Sequence, residues 1–147
     1  MNIQIPDTSI VRILAREKLR KNFPLYKVSD DVKALEIRGD KIRLVYRTTE
    51  DIPEIVKGST HLDMEFWFPR LCFLNSIEVR EEERGKGMGH KLYLTCEEIA
   101  RSLGCERLCQ TPSGVIVVNG KFVETREDYL VRRGYSRVEG GQVEKIL

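Results

Sequence analysis

The segment Arg84-Gly85-Lys86-Gly87-Met88-Gly89 constrains what this chain can fold into more than any other. It follows an alternating run, Leu71 to Val79, that reads as a strand, and it leads into Met88, Leu92, Cys96, Ile99 and Leu103, whose spacing is helical. A glycine lowers helix propensity by about 1 kcal/mol, so three clustered at a helix start need a compensating use. A nucleotide P-loop starting at Gly85 would require its second glycine where His90 stands. A dinucleotide fingerprint would require glycine at His90 or at Leu92, depending on where the count begins. The pattern that fits is Arg/Gln-x-x-Gly-x-Gly/Ala, met by Arg84, Gly87 and Gly89. Unpaired N–H groups at a helix N-terminus, at the positive end of its dipole, stabilise a pyrophosphate. Glycines at 85, 87 and 89 let oxygens approach the backbone, and Lys86 and Lys91 add cationic donors.

The rest of the chain reads as short strands and helices. Asp7, Thr8 and Ser9 offer N-cap oxygens for a helix running to about Asn22, with Ile10, Ile13, Leu14 and Leu19 on its apolar side and a basic face opposite. Ala34 to Arg38 and Lys41 to Tyr46 form a hairpin around Gly39-Asp40, and Thr48 to Ser59 is a loop or helical turn. His61 to Phe68 is a strand with Leu62, Met64, Phe66 and Phe68 on one face. After the central helix, closed by Gly104, come a strand from Arg107 to Thr111 and a hairpin whose Asn119-Gly120 suits a type I′ turn. Thr125, with Asp128 three residues on, caps a short helix through Arg133 that Gly134 closes. Tyr135 to Leu147 turns on Gly140-Gly141 into a last pair of strands. This order predicts one α+β domain over residues 1–147, with a central mostly antiparallel mixed β-sheet flanked by helices.

Composition narrows the function classes. Charged residues make up 33% of the chain and nearly cancel, to a formal net charge of +2, so bulk charge gives no support for a nucleic-acid binder. No apolar run approaches the roughly 20 residues that cross a bilayer. The stretch MNIQIPDTSIVRIL lacks a basic segment followed by an apolar one, so no secretory leader and a cytoplasmic location are expected. The four cysteines, Cys72, Cys96, Cys105 and Cys109, contain no C-x-x-C, and His61 and His90 are the only histidines. Buried free thiols, with no metal site, are the expectation.

The blocks Leu74-Asn75-Ser76-Ile77-Glu78-Val79-(x)4-Arg84-Gly85-Lys86-Gly87-Met88-Gly89-His90-Lys91-Leu92 and Tyr129-Leu130-Val131-Arg132-Arg133-Gly134-Tyr135 together resemble the GNAT (Gcn5-related N-acetyltransferase) family. The first is similar to its acetyl-CoA motif and the second to its closing helix. The resemblance is strongest from about Leu71 to Tyr135. It implies a GNAT-like acyl-CoA N-acyltransferase fold and acetyl-CoA as co-substrate. By position, the amide of Ile77 would face the acetyl carbonyl and Val79 would pair with the pantetheine arm. The backbone at Arg84, Gly85, Lys86, Gly87, Met88 and Gly89, running on to His90, would hold the pyrophosphate.

The resemblance also implies direct attack of an amine on the thioester, with alignment, proton removal, carbonyl polarisation and thiolate protonation. The family's usual acid tyrosine falls on Leu130, which cannot donate a proton, and leaves the adjacent Tyr129 as the candidate. Where relatives carry a strand glutamate, this chain has Phe73 and Asn75. Asn75 could position a water or the amine, and Glu78 is the nearest strand carboxylate. Alternation puts Glu78 on the opposite face from Asn75 and Ile77 unless a bulge intervenes.

The hairpin at Asn119-Gly120 is either an extension of the sheet or a wall over the acceptor site, with Glu124 and Asp128 attracting a cationic amine. Arg132 or Arg133 could reach the cofactor's phosphates, or these residues could stabilise their helix C-terminus. Three functions follow as expectations. The first is an N-acetyltransferase acting on a primary amine of a protein or small molecule, the second an acetyl-CoA-binding module with weak or no turnover, and the third an interaction protein. The C-terminal strand pair could join a second copy's sheet edge to make a homodimer.

Overall fold

The computed structural model describes residues 7–23, 32–38, 41–47, 61–79 and 87–147. Helix α1 (Thr8–Asn22) is followed by strands β1 (Val32–Arg38), β2 (Lys41–Arg47), β3 (His61–Trp67) and β4 (Leu71–Glu78). Helix α2 (Met88–Ser102) leads to β5 (Arg107–Gln110), the ribbon β6 (Val115–Val118) and β7 (Lys121–Thr125), helix α3 (Arg126–Arg132), β8 (Ser136–Val138) and β9 (Gln142–Ile146). A seven-stranded sheet runs in the order β1-β2-β3-β4-β5-β9-β8, and β6-β7 stand apart as a separate pair. The pairing of β4 with β5 is parallel and the other pairings are antiparallel, as expected for a mixed, mostly antiparallel sheet. The Gly39-Asp40 turn and the Thr48 to Ser59 segment lie outside the described residues.

Local chemistry sets the helix ends. The Asp7 carboxylate accepts the Ser9 N–H at 2.8 Å and caps α1. The face that α1 buries differs from the expected one: Val11, Ala15 and Leu19 are fully buried, whereas Ile10 and Ile13 are more than half exposed. Val11, Ala15 and Leu19, with Phe23 beyond them, fall at i, i+4, i+8 and i+12. These residues join the core, and Asn22 Nδ2 donates to Thr95 Oγ1 at 2.8 Å between α1 and α2. On α2, Leu92, Cys96, Ile99 and Ala100 are buried against the sheet, and Gly104 (φ +82) ends the helix with Cys105 N–H bonded to the Ala100 carbonyl.

The core lies between these two helices and the sheet face carrying Ile42, Leu44, Leu62, Met64, Phe66 and Cys72. All four cysteines are free and buried, and burial raises the Cys105 thiol to about 11. Strand β9 inserts between β5 and β8, and Lys145 on it pairs with the buried Glu97 of α2 at 2.6 Å, which locks the end of the chain to the central helix. Asn119 (φ 52) and Gly120 (φ 75) both take left-handed conformations, as the hairpin turn between β6 and β7 requires. Thr125 Oγ1 accepts the Asp128 N–H at 3.1 Å and caps α3 as expected.

Candidate active site

Strand β4 outruns its parallel neighbour. Its ladder with β5 covers Leu71 to Leu74 opposite Arg107 to Gln110, while its ladder with β3 continues to Glu78. Among the described residues, Ser76 to Glu78 are paired on the β3 side only. Two cavities fill the resulting gap. One, of about 530 Å³, runs from Ile77, Glu78 and Val79 past the start of α2 to α3 and β6. The other, of about 310 Å³, lies on the side of Asn75, Ser76 and the segment Gln110 to Ser113. Ile77, Glu78, Tyr93 and Arg126 line both, so the cavities meet there.

The larger cavity ends on the expected anion loop. Gly87 sits at the N-cap of α2 with φ +77 and ψ 10, and no side chain caps the first turn. Side chains other than glycine's are strained in that conformation. Among the described residues, a Cβ on Gly87 would meet nothing within 4 Å, and one on Gly89 would meet Val79 Cγ2 at 3.7 Å. Backbone conformation at Gly87, rather than space, is therefore the local demand for glycine. Met88 opens α2, and Gly87, Gly89, His90, Ile77 and Val79 all line this cavity. Arg84, Gly85 and Lys86 fall outside the described residues.

A bulge rearranges the candidate base residues. Met64 pairs with Leu74 and Asp63 pairs with Ser76, which leaves Asn75 as the extra residue. From that point each β4 side chain takes the face opposite to simple alternation. Ile77 turns toward the core beside Leu62, whereas Asn75, Ser76 and Glu78 share the face of His61, Asp63 and Glu65. The expected separation of Glu78 from Asn75 is thus corrected, and it is Ile77 that parts from both. Asn75 Nδ2 lies 3.4 Å from Asp63 Oδ1 and 3.5 Å from Glu65 Oε2. Asp63 is itself paired with Arg43. His61 places Nδ1 3.4 Å from Glu78 Oε2 and Nε2 3.2 Å from Ser76 Oγ, and all three residues line the smaller cavity. With Nδ1–H facing the carboxylate, Nε2 is the acceptor for the Ser76 hydroxyl.

The helix residues sort by rotation. Leu130 is 1% exposed and part of the core, while Tyr129 lines the larger cavity. Arg133 donates toward His90 Nε2 at 3.4 Å, so His90 Nδ1 carries the proton facing Tyr129 Oη at 3.5 Å. Burial, and then the Arg133 charge, hold His90 below its ordinary value, which keeps it neutral. Tyr93 lies 5.8 Å from Tyr129 between ring centroids, and its hydroxyl accepts from Arg126 at 3.4 Å. Burial raises both tyrosine hydroxyls, with Arg126 opposing the effect at Tyr93 and Arg133 at Tyr129.

The sequence reading did not single out Tyr93, Arg126, His61 or Gln110 for this site. His90, Tyr93 and Glu97 stand at i, i+3 and i+7 on α2, a polar row that could have marked Tyr93. The carboxylates expected to attract an amine from the ribbon side are already engaged: Glu124 with Arg132, and Asp128 with Arg137 at 2.7 Å. The ribbon itself lines the larger cavity through Val115 to Val118, not the smaller one. Of the two arginines considered for the cofactor, Arg133 lines that cavity and Arg132 is held by Glu124.

A strand that runs on past its parallel neighbour, a glycine-capped helix at the mouth of the gap and two joined cavities form a continuous passage beside a helix end suited to an anion. The chain belongs to the Acetyltransferase (GNAT) family, whose model matches residues 14–115, from within α1 to the start of β6. It is an acyltransferase by class. A comparison with curated proteins finds no match. Among solved structures, an acetyltransferase from Bacillus cereus ATCC 14579 is 16% identical, with 100% of this chain and 98% of that one covered and a TM-score of 0.52. A structure from Agrobacterium tumefaciens, provisionally an acetyltransferase, is 16% identical over 100% and 98% of the two chains, with a TM-score of 0.50. A GNAT family acetyltransferase from Elizabethkingia anophelis with acetyl-CoA bound is 15% identical over 71% of this chain and 78% of that one, with a TM-score of 0.47. At these identities the first two likenesses establish the fold.

Proposed function

We propose that the chain is an acetyl-CoA-dependent N-acetyltransferase in which a primary amine attacks the thioester directly. The observation that carries this reading is the meeting of two cavities at Ile77, Glu78, Tyr93 and Arg126. The larger cavity takes the cofactor: pyrophosphate against the first turn of α2, pantetheine along the free edge of β4, and the acetyl group at Ile77. The smaller cavity admits the amine from the opposite side. Direct transfer needs such a through-passage, because both substrates must be present with the reacting atoms about 3–3.5 Å apart.

The chain supplies the proton-handling groups at that junction. Glu78 and His61 form a carboxylate–imidazole pair that accepts the proton of the incoming ammonium, directly or through Ser76. Asn75, on the same face, orients the amine or a water. Tyr93 is the acid for the departing sulfur: Arg126 occupies a lone pair of its oxygen, which leaves the O–H free to point into the passage. Tyr129 lines the cofactor's side, where its hydroxyl faces His90.

Thiol release from acetyl-CoA, followed with a chromogenic disulfide across a panel of primary amines, tests the reading. Amine-dependent release with acetylated product found by mass spectrometry is expected. Acetyl-CoA binding without release for any amine would instead assign the chain as a binding module.

A further inference from the structure

The two walls of the smaller cavity differ in chemistry. On the sheet side stand Glu78 and Ser76, linked through His61. Across from them are two groups with unmet needs. Arg126 contacts the Tyr93 hydroxyl at 3.4 Å and pairs with no carboxylate among the described residues. Its neighbours Arg132 and Arg137, by contrast, are each matched to acidic side chains. Gln110 is 7% exposed, and among the described residues its buried amide nitrogen has no acceptor. A buried donor left unpaired is costly, and a guanidinium beside a largely enclosed tyrosine favours a planar anion. Arg126 also lines the junction where the acetyl group would lie, so the anion it holds must sit close to the reacting nitrogen.

We propose that the acceptor is a small molecule with a carboxylate next to its amine, an α-amino acid or close analogue, held by Arg126 and Gln110 while its nitrogen faces Glu78 and His61. The inference rests on the acetyltransferase reading above. The α-ammonium gives one proton to the His61–Glu78 pair, and the freed nitrogen attacks the acetyl carbonyl carbon. The C–N bond forms as the C–S bond breaks. The sulfur leaves as a thiol with the second proton that the nitrogen sheds, relayed through Tyr93, and His61 releases its own proton to solvent. The products are an N-acetylamino acid, free CoA and one proton. A decarboxylated amine leaves Arg126 and Gln110 both unmatched, and an α-amide, whose carbonyl can still accept from Gln110, lacks the negative charge that Arg126 requires.

The test is thiol release by the full chain with acetyl-CoA and three matched sets: the standard amino acids, their α-amides and their decarboxylated amines. For at least one amino acid, kcat/KM should exceed that of its amide by about 100-fold, the scale of discrimination that buried polar recognition provides. This preference runs against the supply of free amine, because the amide's amine is the less protonated at neutral pH. Arg126→Gln should lower the acid-to-amide ratio at least about tenfold, whatever it does to absolute rates, and Gln110→Leu should lower it in the same direction. Equal use of acids and amides, or release with amides and amines alone, overturns the inference while the acetyltransferase reading stands. Release with none of the three sets overturns the inference, and release with no primary amine at all, despite acetyl-CoA binding, removes the acetyltransferase reading as well. A loss of acetyl-CoA affinity in Arg126→Gln with an unchanged acid-to-amide ratio would assign Arg126 to the cofactor and also overturn it. The wild-type comparison of acids with amides decides the matter even if a variant fails to fold.

Discussion

Replacing Gly87 probes the anion loop because conformation and charge can be separated there. The residue caps α2 with φ +77, and a Cβ would meet nothing within 4 Å among the described residues. Gly87→Ala therefore adds no clash, only the left-handed strain of about 1–2 kcal/mol. For a chain of 147 residues this lowers Tm by about 3–6 °C. Gly87→Glu carries the same strain plus a negative charge beside the site assigned to the pyrophosphate. At about 5 Å, with an effective dielectric constant of about 40–80 at this exposed position, one charge against the pyrophosphate's two costs about 2–3 kcal/mol. Acetyl-CoA should then bind the glutamate variant about 30- to 150-fold more weakly than the alanine variant. Titration calorimetry at physiological salt measures the difference. At 1 M salt it should shrink, since screening acts over about 3 Å there. Equal affinities of the two variants, with both folded, would refute a pyrophosphate at this helix end.

Three further outcomes follow from the geometry. Tyr93→Phe keeps the ring but removes the acid, so kcat should fall by about 100-fold with little change in acetyl-CoA affinity; an unchanged kcat would exclude the tyrosine. His90 should titrate below its ordinary 6.5 by NMR, and Arg133→Gln should raise the midpoint by removing a like charge. Because the folded form binds its proton more weakly than the unfolded one, His90 stabilises the fold above 6.5, and that contribution is lost as pH falls through the depressed folded value. Lys145→Met strands the buried Glu97 carboxylate, which in a pair 24% exposed on the lysine side should cost about 2–3 kcal/mol in thermal melts. Adding Glu97→Leu should recover much of that loss, and no recovery would show that the ion pair is not its source.

The features legible in the sequence were those set by near neighbours. The Asp7 cap, the Thr125 cap, the Asn119-Gly120 turn and the glycine-led start of α2 depend on a few consecutive residues, and each stands where expected. Non-local effects were not legible. The extra residue at Asn75 exists only in the pairing of β4 with β3, yet it reverses the face of every side chain from Ser76 onward. On α1 the buried row is Val11, Ala15 and Leu19 while the larger Ile10 and Ile13 stay exposed, a choice that hydrophobicity alone does not reveal. Tyr93 and Arg126 come together from α2 and α3, 33 residues apart, and only the tertiary fold makes them neighbours. Likewise, Glu124 and Asp128 were considered for attracting a cationic amine, but Arg132 and Arg137 already pair with them.

A crystal structure of the chain with acetyl-CoA is the most direct test of a transfer site where the two cavities meet. The pyrophosphate oxygens should lie within hydrogen-bond distance of the first-turn amides of α2, with the acetyl group between Ile77 and Tyr93 and its carbonyl carbon open to the smaller cavity. A cofactor bound away from Gly87, or a thioester turned away from the Ile77–Tyr93 junction, would contradict it.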